Sequence, residues 1–92
     1  MNTDPSTRYR LDPHARFRVL DDEGIFILQE AGEVLVVNEV AAFLIDELNR
    51  GRTFGEAVDA ITREFDVGGE QARADAASLV GTLIQAGALE PA

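Results

Sequence analysis

The chain contains no cysteine, no lysine, a single histidine and no long apolar run, and each absence narrows what it can do. Without cysteine there is no disulfide staple, no thiolate nucleophile and no cysteine-ligated zinc or iron–sulfur site. His14 stands beside Pro13 in a polar stretch and reads as a surface residue rather than a catalytic base. Asp21-Asp22-Glu23 clusters three carboxylates, but without the alternating spacing of a calcium loop, and with Gly24 it reads as a hairpin turn. Gly68-Gly69 precedes a helical segment, yet it matches neither nucleotide-binding fingerprint and is flanked by Asp66 and Glu70. Acid–base or nucleophilic catalysis needs positioned groups that this chain does not offer, so no enzymatic activity, cofactor or metal is expected. No segment approaches the roughly 18 uninterrupted apolar residues of a membrane span, and MNTDPSTRYR lacks the apolar centre of a secretory signal. A cytoplasmic protein without membrane contact is expected.

What is present is an ordinary globular composition, 46% hydrophobic and 27% charged over 92 residues, enough for one domain and one core. All eight basic residues are arginine against 17 acids, a formal net charge of −9. Its distribution is uneven. Arg8, Arg10, Arg16 and Arg18 outnumber Asp4 and Asp12 in residues 1–18, a net +2, which leaves −11 on residues 19–92. Such a body repels the phosphate backbone and disfavours nucleic acid as a partner. Pro5, Pro13 and small polar groups make residues 1–14 a flexible lead-in, and the domain is expected over 15–90, starting near Ala15.

Three β-branched or aromatic runs follow: Phe17–Leu20, Ile25–Leu28 and Val34–Val37. Short glycine-bearing loops, Asp21–Gly24 and Glu30–Glu33, separate them and predict an antiparallel meander. Three helices come next. Asn38 caps the first, which runs to about Arg50 with Ala41, Leu44, Ile45 and Leu48 on one face and stops at Gly51. Thr53-Phe54-Gly55-Glu56 is a capping box opening the second, where Phe54, Ala57, Val58, Ile61 and Phe65 form the apolar stripe. The third runs from about Glu70 to Ala86. It carries two adjacent stripes, Ala72, Ala76, Leu79 and Leu83 on one and Arg73, Ala77, Val80 and Ile84 on the other, which implies two contacts, with Arg73 on the groove side. A short extended tail at Ala88-Leu89-Glu90 closes the chain. The fold class is α+β, βββααα, a three-stranded antiparallel sheet followed by three helices in a winged helix-turn-helix-like arrangement.

The sheet carries more apolar surface than one core needs. Antiparallel strands with one wet face alternate, but Ile25–Leu28 and Val34–Val37 are apolar at every position. Three helices cover one face. The other, or the open edge, is then expected to meet another chain, unless the N-terminal arm folds over it. An edge strand beside an apolar helix invites strand addition by a peptide, with main-chain hydrogen bonds for affinity and side-chain pockets for selectivity. Arg73 on the helix is placed to pair with an acid of such a ligand.

Val34-Leu35-Val36-Val37-Asn38-Glu39-Val40-Ala41, Leu48–Glu56 and Leu83-Ile84-Gln85-Ala86-Gly87-Ala88-Leu89 together resemble the PqqD-like domains, the precursor-peptide recognition elements of ribosomal peptide natural-product (RiPP) biosynthesis. The resemblance spans about residues 15–90, with Val37-Asn38 where the family commonly has Leu-Asn and Val40 where Thr is common. It implies a non-catalytic peptide chaperone that takes a leader segment as a strand beside the third strand, against the third helix. The implied contacts are Val34, Leu35, Val36 and Val37 on the strand and Arg73, Ala77, Val80 and Ile84 on the helix. It also implies delivery of the precursor to a tailoring enzyme, often a radical S-adenosylmethionine enzyme, or to a lasso-peptide protease or cyclodehydratase. Two alternatives come from other classes. A winged-helix transcriptional regulator would use the second and third helices on DNA, with Glu70 and Asp75 against a lone Arg73. A structural subunit or homodimer would pack sheet on sheet.

Overall fold

The computed structural model describes residues 4–92. Capping chemistry sets the helix starts. The Asn38 side chain accepts from the Ala41 amide at 2.9 Å and opens α1 (Glu39–Asn49), which ends where Gly51 turns at φ +93°. The Thr53–Glu56 box is complete: the Thr53 amide donates to Glu56 Oε1 at 2.8 Å, and the Glu56 amide donates to Thr53 Oγ1 at 3.2 Å. It opens α2 (Phe54–Glu64) and holds the Glu56 carboxyl below its ordinary pKa, chiefly through the Thr53 amide. α3 (Gly69–Gln85) follows a short turn, without a side-chain cap at Gly68. The three helices pack their apolar stripes together, and Leu44, Ile45, Leu48, Phe54 and Leu83 are buried among them.

The described chain forms five strands. β2 (Ala15–Leu20), β3 (Glu23–Leu28) and β4 (Glu33–Val37) make an antiparallel sheet in the order β2-β3-β4. Phe17, Phe26 and Leu35 stand opposite one another on its inner face, with the Phe17 and Phe26 rings 4.8 Å apart. Phe26 is the keystone of that face, fully buried against the helices. Burying a side chain of this size stabilises by about 1.5–3 kcal/mol. The winged helix-turn-helix-like α+β expectation agrees with this architecture.

Two local expectations are corrected. The β2–β3 connection is shorter than the four-residue loop read from the sequence, because only Asp21 and Asp22 lie between the strands, with Asp21 itself at φ +53°. Gly24 is buried inside β3, opposite Val37. A Cβ there would come 2.7 Å from the Phe17 ring and 2.9 Å from Val37, so glycine is required by close approach rather than by a turn.

The second correction concerns the lead-in expected over residues 1–14. Residues 1–3 lie outside the described residues, but from Asp4 onward the arm is part of the fold. β1 (Tyr9–Leu11) pairs antiparallel with β5 (Leu89–Pro91), the tail foreseen at 88–90, and the Arg10 Nε donates to Glu90 Oε2 at 2.6 Å. The Tyr9 ring is only 3% exposed, and burial raises its hydroxyl pKa. Further back, the Phe54 amide donates to the Thr7 carbonyl and Pro5 rests on Gly55. The described part of the arm therefore clasps the helices and the C-terminus and leaves the outer face of the β2–β4 sheet uncovered. His14 is exposed between Asp12 and Glu30, 3.3 and 3.5 Å away.

Candidate functional site

β4 ends the sheet, so among the described residues one of its edges has no strand partner. Which groups it presents follows from the ladder phase. The Gln29 amide donates to the His14 carbonyl, which makes that pair hydrogen-bonded and, by alternation, also Arg16/Ile27 and Arg18/Ile25. Ile25 and Ile27 therefore turn their main-chain groups toward β2, while Gly24, Phe26 and Leu28 turn theirs toward Val37, Leu35 and Glu33. The open edge is left with the N–H and C=O of Val34 and Val36. Their side chains lie on the outer face, 61% and 60% exposed, whereas Leu35 and Val37 are half-buried against the core.

Beyond the C-terminal end of β4 a cleft of about 550 Å³ opens between the start of α1, the end of α2 and the first half of α3. Val40, Ala41, Phe65, Val67 and Leu79 give it apolar walls, and Asp66 and Asp75 add two carboxylates. The edge-to-face contact of Phe43 with Phe65, centroids 5.4 Å apart, fixes one wall. The arrangement can take an extended segment along the β4 edge and one of its apolar side chains in the cleft.

Helix α3 presents this cleft with a different stripe from the one expected. Val80, expected on the groove stripe, is fully buried in the core, and Leu79, from the other stripe, is half-buried and lines the cleft. At 100° per residue, Asp75 and Leu79 fall on one flank of the buried Ala72–Ala76–Leu83 line, and Arg73, Ala77 and Ile84 fall on the other. Arg73 is exposed, with no ion pair among the described residues, and Ala77 and Ile84 pack against the core margin. Adjacent apolar stripes on one helix do not say which of them meets the core, so the place of Asp75 and Leu79 on the cleft was not legible in the sequence. The capping Asn38, at the cleft's mouth, was the usable signal.

Sheet, helix order and open edge define a winged helix-turn-helix-like domain built around an accessible strand. The model of the family described as coenzyme PQQ synthesis protein D (PqqD) matches residues 10–89, and the chain belongs to that family. Among solved structures, TbiB1 in complex with the TbiA(beta) leader peptide has a TM-score of 0.82 at 22% identity, with 88% of this chain and 94% of that chain covered. A lasso peptide synthetase B1 complexed with the leader peptide has a TM-score of 0.82 at 26% identity, covering 91% and 99%. A search of curated proteins gave no match. Among the described residues, no helix is long and apolar enough to cross a membrane.

Proposed function

We propose that this chain is a peptide chaperone of RiPP biosynthesis: it binds the leader segment of a ribosomally made precursor by strand addition and delivers the precursor to a tailoring enzyme. The observation that carries this is the open β4 edge, with the main-chain groups of Val34 and Val36 unpaired in the sheet, lying beside the apolar cleft under α3. Membership of the PqqD family and the leader complexes of the two structural neighbours support the same reading. The ligand-facing set is then Val34, Leu35, Val36 and Val37 on the strand with Asp75 and Leu79 on the helix. Arg73, Ala77 and Ile84 lie on the far flank, and Val80 supports the floor. The role needs no cofactor, because tethering alone raises the local concentration of the core segment to about the millimolar range.

Calorimetric titration with synthetic leader peptides from neighbouring short reading frames, followed by amide-shift mapping, tests the reading. Saturable binding with shifts concentrated on Val34–Val37 and Asp75–Leu79 is expected. Val36→Pro removes an outward donor while sparing the β3–β4 ladder, and should weaken binding at least tenfold. Wild-type affinity in that variant would place the ligand elsewhere.

A further inference from the structure

The outer face of the β2–β4 sheet is a second surface, separate from the strand edge. The register sets Arg16 beside Ile27 and Val34, and Arg18 beside Ile25 and Val36, in two rows across the sheet. Ile27, Val34 and Val36 are among the most exposed large apolar residues of the chain. Neither arginine has an ion pair among the described residues, as is also true of Arg8, Arg63 and Arg73, but these two stand together on one apolar face. In a protein of net charge −9, this is an apolar patch bordered by two unpaired cations.

We propose that this face docks the enzyme that acts on the leader-bound precursor, through a patch on that enzyme that is apolar and sets carboxylates against Arg16 and Arg18. The inference rests on the leader-binding reading, because it supplies the reason for a second partner. Size and charge both argue against a second copy of this chain as the occupant. Three strands of about six residues span about 14 by about 20 Å, roughly 300 Å² in projection. A stable interface needs about 800 Å² from each partner. Face-to-face pairing would also bring four arginines together with only the two Glu23 carboxylates, at the hairpin ends, to offset them. A small patch with unpaired charge suits a transient docking instead, in which opposite charge speeds and orients the encounter. The patch is also continuous with the leader edge. A strand added at Val34 and Val36 alternates as β4 does, and every second side chain of it extends the same outer face. The loaded protein thus offers a wider surface than the empty one, and docking is expected to favour the loaded form.

The test uses the full chain, a synthetic leader that it binds and the purified tailoring enzyme that acts on that leader's precursor, with leader affinity and enzyme affinity measured separately. The Arg16→Glu/Arg18→Glu double variant changes only exposed positions, and circular dichroism checks its fold. Its leader affinity should stay within twofold of wild type. Enzyme affinity of the leader-loaded protein should fall at least tenfold, and wild-type docking should weaken with added salt. Ile27→Ser should reproduce the loss of docking without the salt dependence of the charge variant. Unchanged docking in both variants, or no docking of the loaded wild type, would overturn the proposal. So would a concentration-dependent dimer of the wild type that the double variant abolishes, since it would assign the face to a second copy. Failure of the wild type to bind any leader would instead remove the leader-binding reading itself.

Discussion

The two faces of the β2–β4 sheet are built from similar apolar side chains and have opposite fates. Phe17, Phe26 and Leu35 meet the helices, and Phe26 is wholly removed from water. Ile27, Val34 and Val36, one residue out of phase, stay exposed. The difference is one of supply. Three helices of 11, 11 and 17 residues cover one face, and the described part of the N-terminal arm is spent on the helix side. Apolar content therefore identifies a strand, but burial depends on what else the chain has left to pack.

The sharpest way to break that comparison is to truncate the same chemistry on each side. Phe26→Ala opens a cavity between sheet and helices and should cost about 3–5 kcal/mol, a large part of the roughly 5–15 kcal/mol of a small domain. Val34→Ala on the outer face should change stability by less than about 0.5 kcal/mol. Urea unfolding of the two variants checks both values. Comparable losses would mean that the outer face is covered in the isolated protein.

Gly24→Ala probes the inner face from the opposite direction, by adding an atom. The new Cβ must displace the Phe17 ring or Val37, and the expected loss is about 1–3 kcal/mol. Phe17 is the softer neighbour. Gly24→Ala combined with Phe17→Leu should therefore recover part of the loss, and a double variant no better than the sum of the singles would show that Val37 sets the limit.

The sequence was informative where the deciding contacts are local. Asn38, the Thr53–Glu56 box and Gly51 mark helix ends through atoms within four residues of each other, and α1 and α2 lie where these signals put them. The three sheet strands were legible for the same reason, joined by short connections. The β1–β5 pairing was not: Tyr9-Arg10-Leu11 is too short to show a period, and its partner Leu89-Glu90-Pro91 lies 80 residues away. The strand half of the candidate site followed from the run of valines. On the helix side the sequence does not separate Leu79 from Val80, which are both apolar and adjacent, and only the packing of α3 in the folded chain puts Val80 inward and Leu79 on the cleft.

Thr53→Ala tests the capping box, whose effect is expected to be smaller than either sheet core change. Loss of the hydroxyl acceptor should cost about 1 kcal/mol and lower Tm by about 4–8 °C. The effect is also pH-dependent. The box depresses the Glu56 pKa in the folded state, so its contribution is complete above the unfolded carboxylate pKa and is lost as pH falls through the lowered folded value. Acid titration of Glu56→Gln against wild type should show the two stability curves converging at low pH.

The smallest expected effect has the opposite sign, at the β2–β3 turn. The Asp22 carboxylate faces Glu39 at the start of α1 and pushes the Glu39 pKa up, mainly through like charge. A raised folded-state pKa means that this pair is favourable only below the unfolded carboxylate value, and that the advantage disappears as pH rises through the folded one. At neutral pH the pair is a repulsion that the folded protein tolerates. Asp22→Asn should therefore raise Tm slightly at neutral pH, by less than Thr53→Ala lowers it, and the gain should vanish on acidification. The wall formed by Asp22, Glu39, Asp46 and Glu64 lies on the far side of α1 from the cleft between the three helices. Leader affinity in Asp22→Asn should match wild type, and a change there would show that the acidic side of the sheet end takes part in binding.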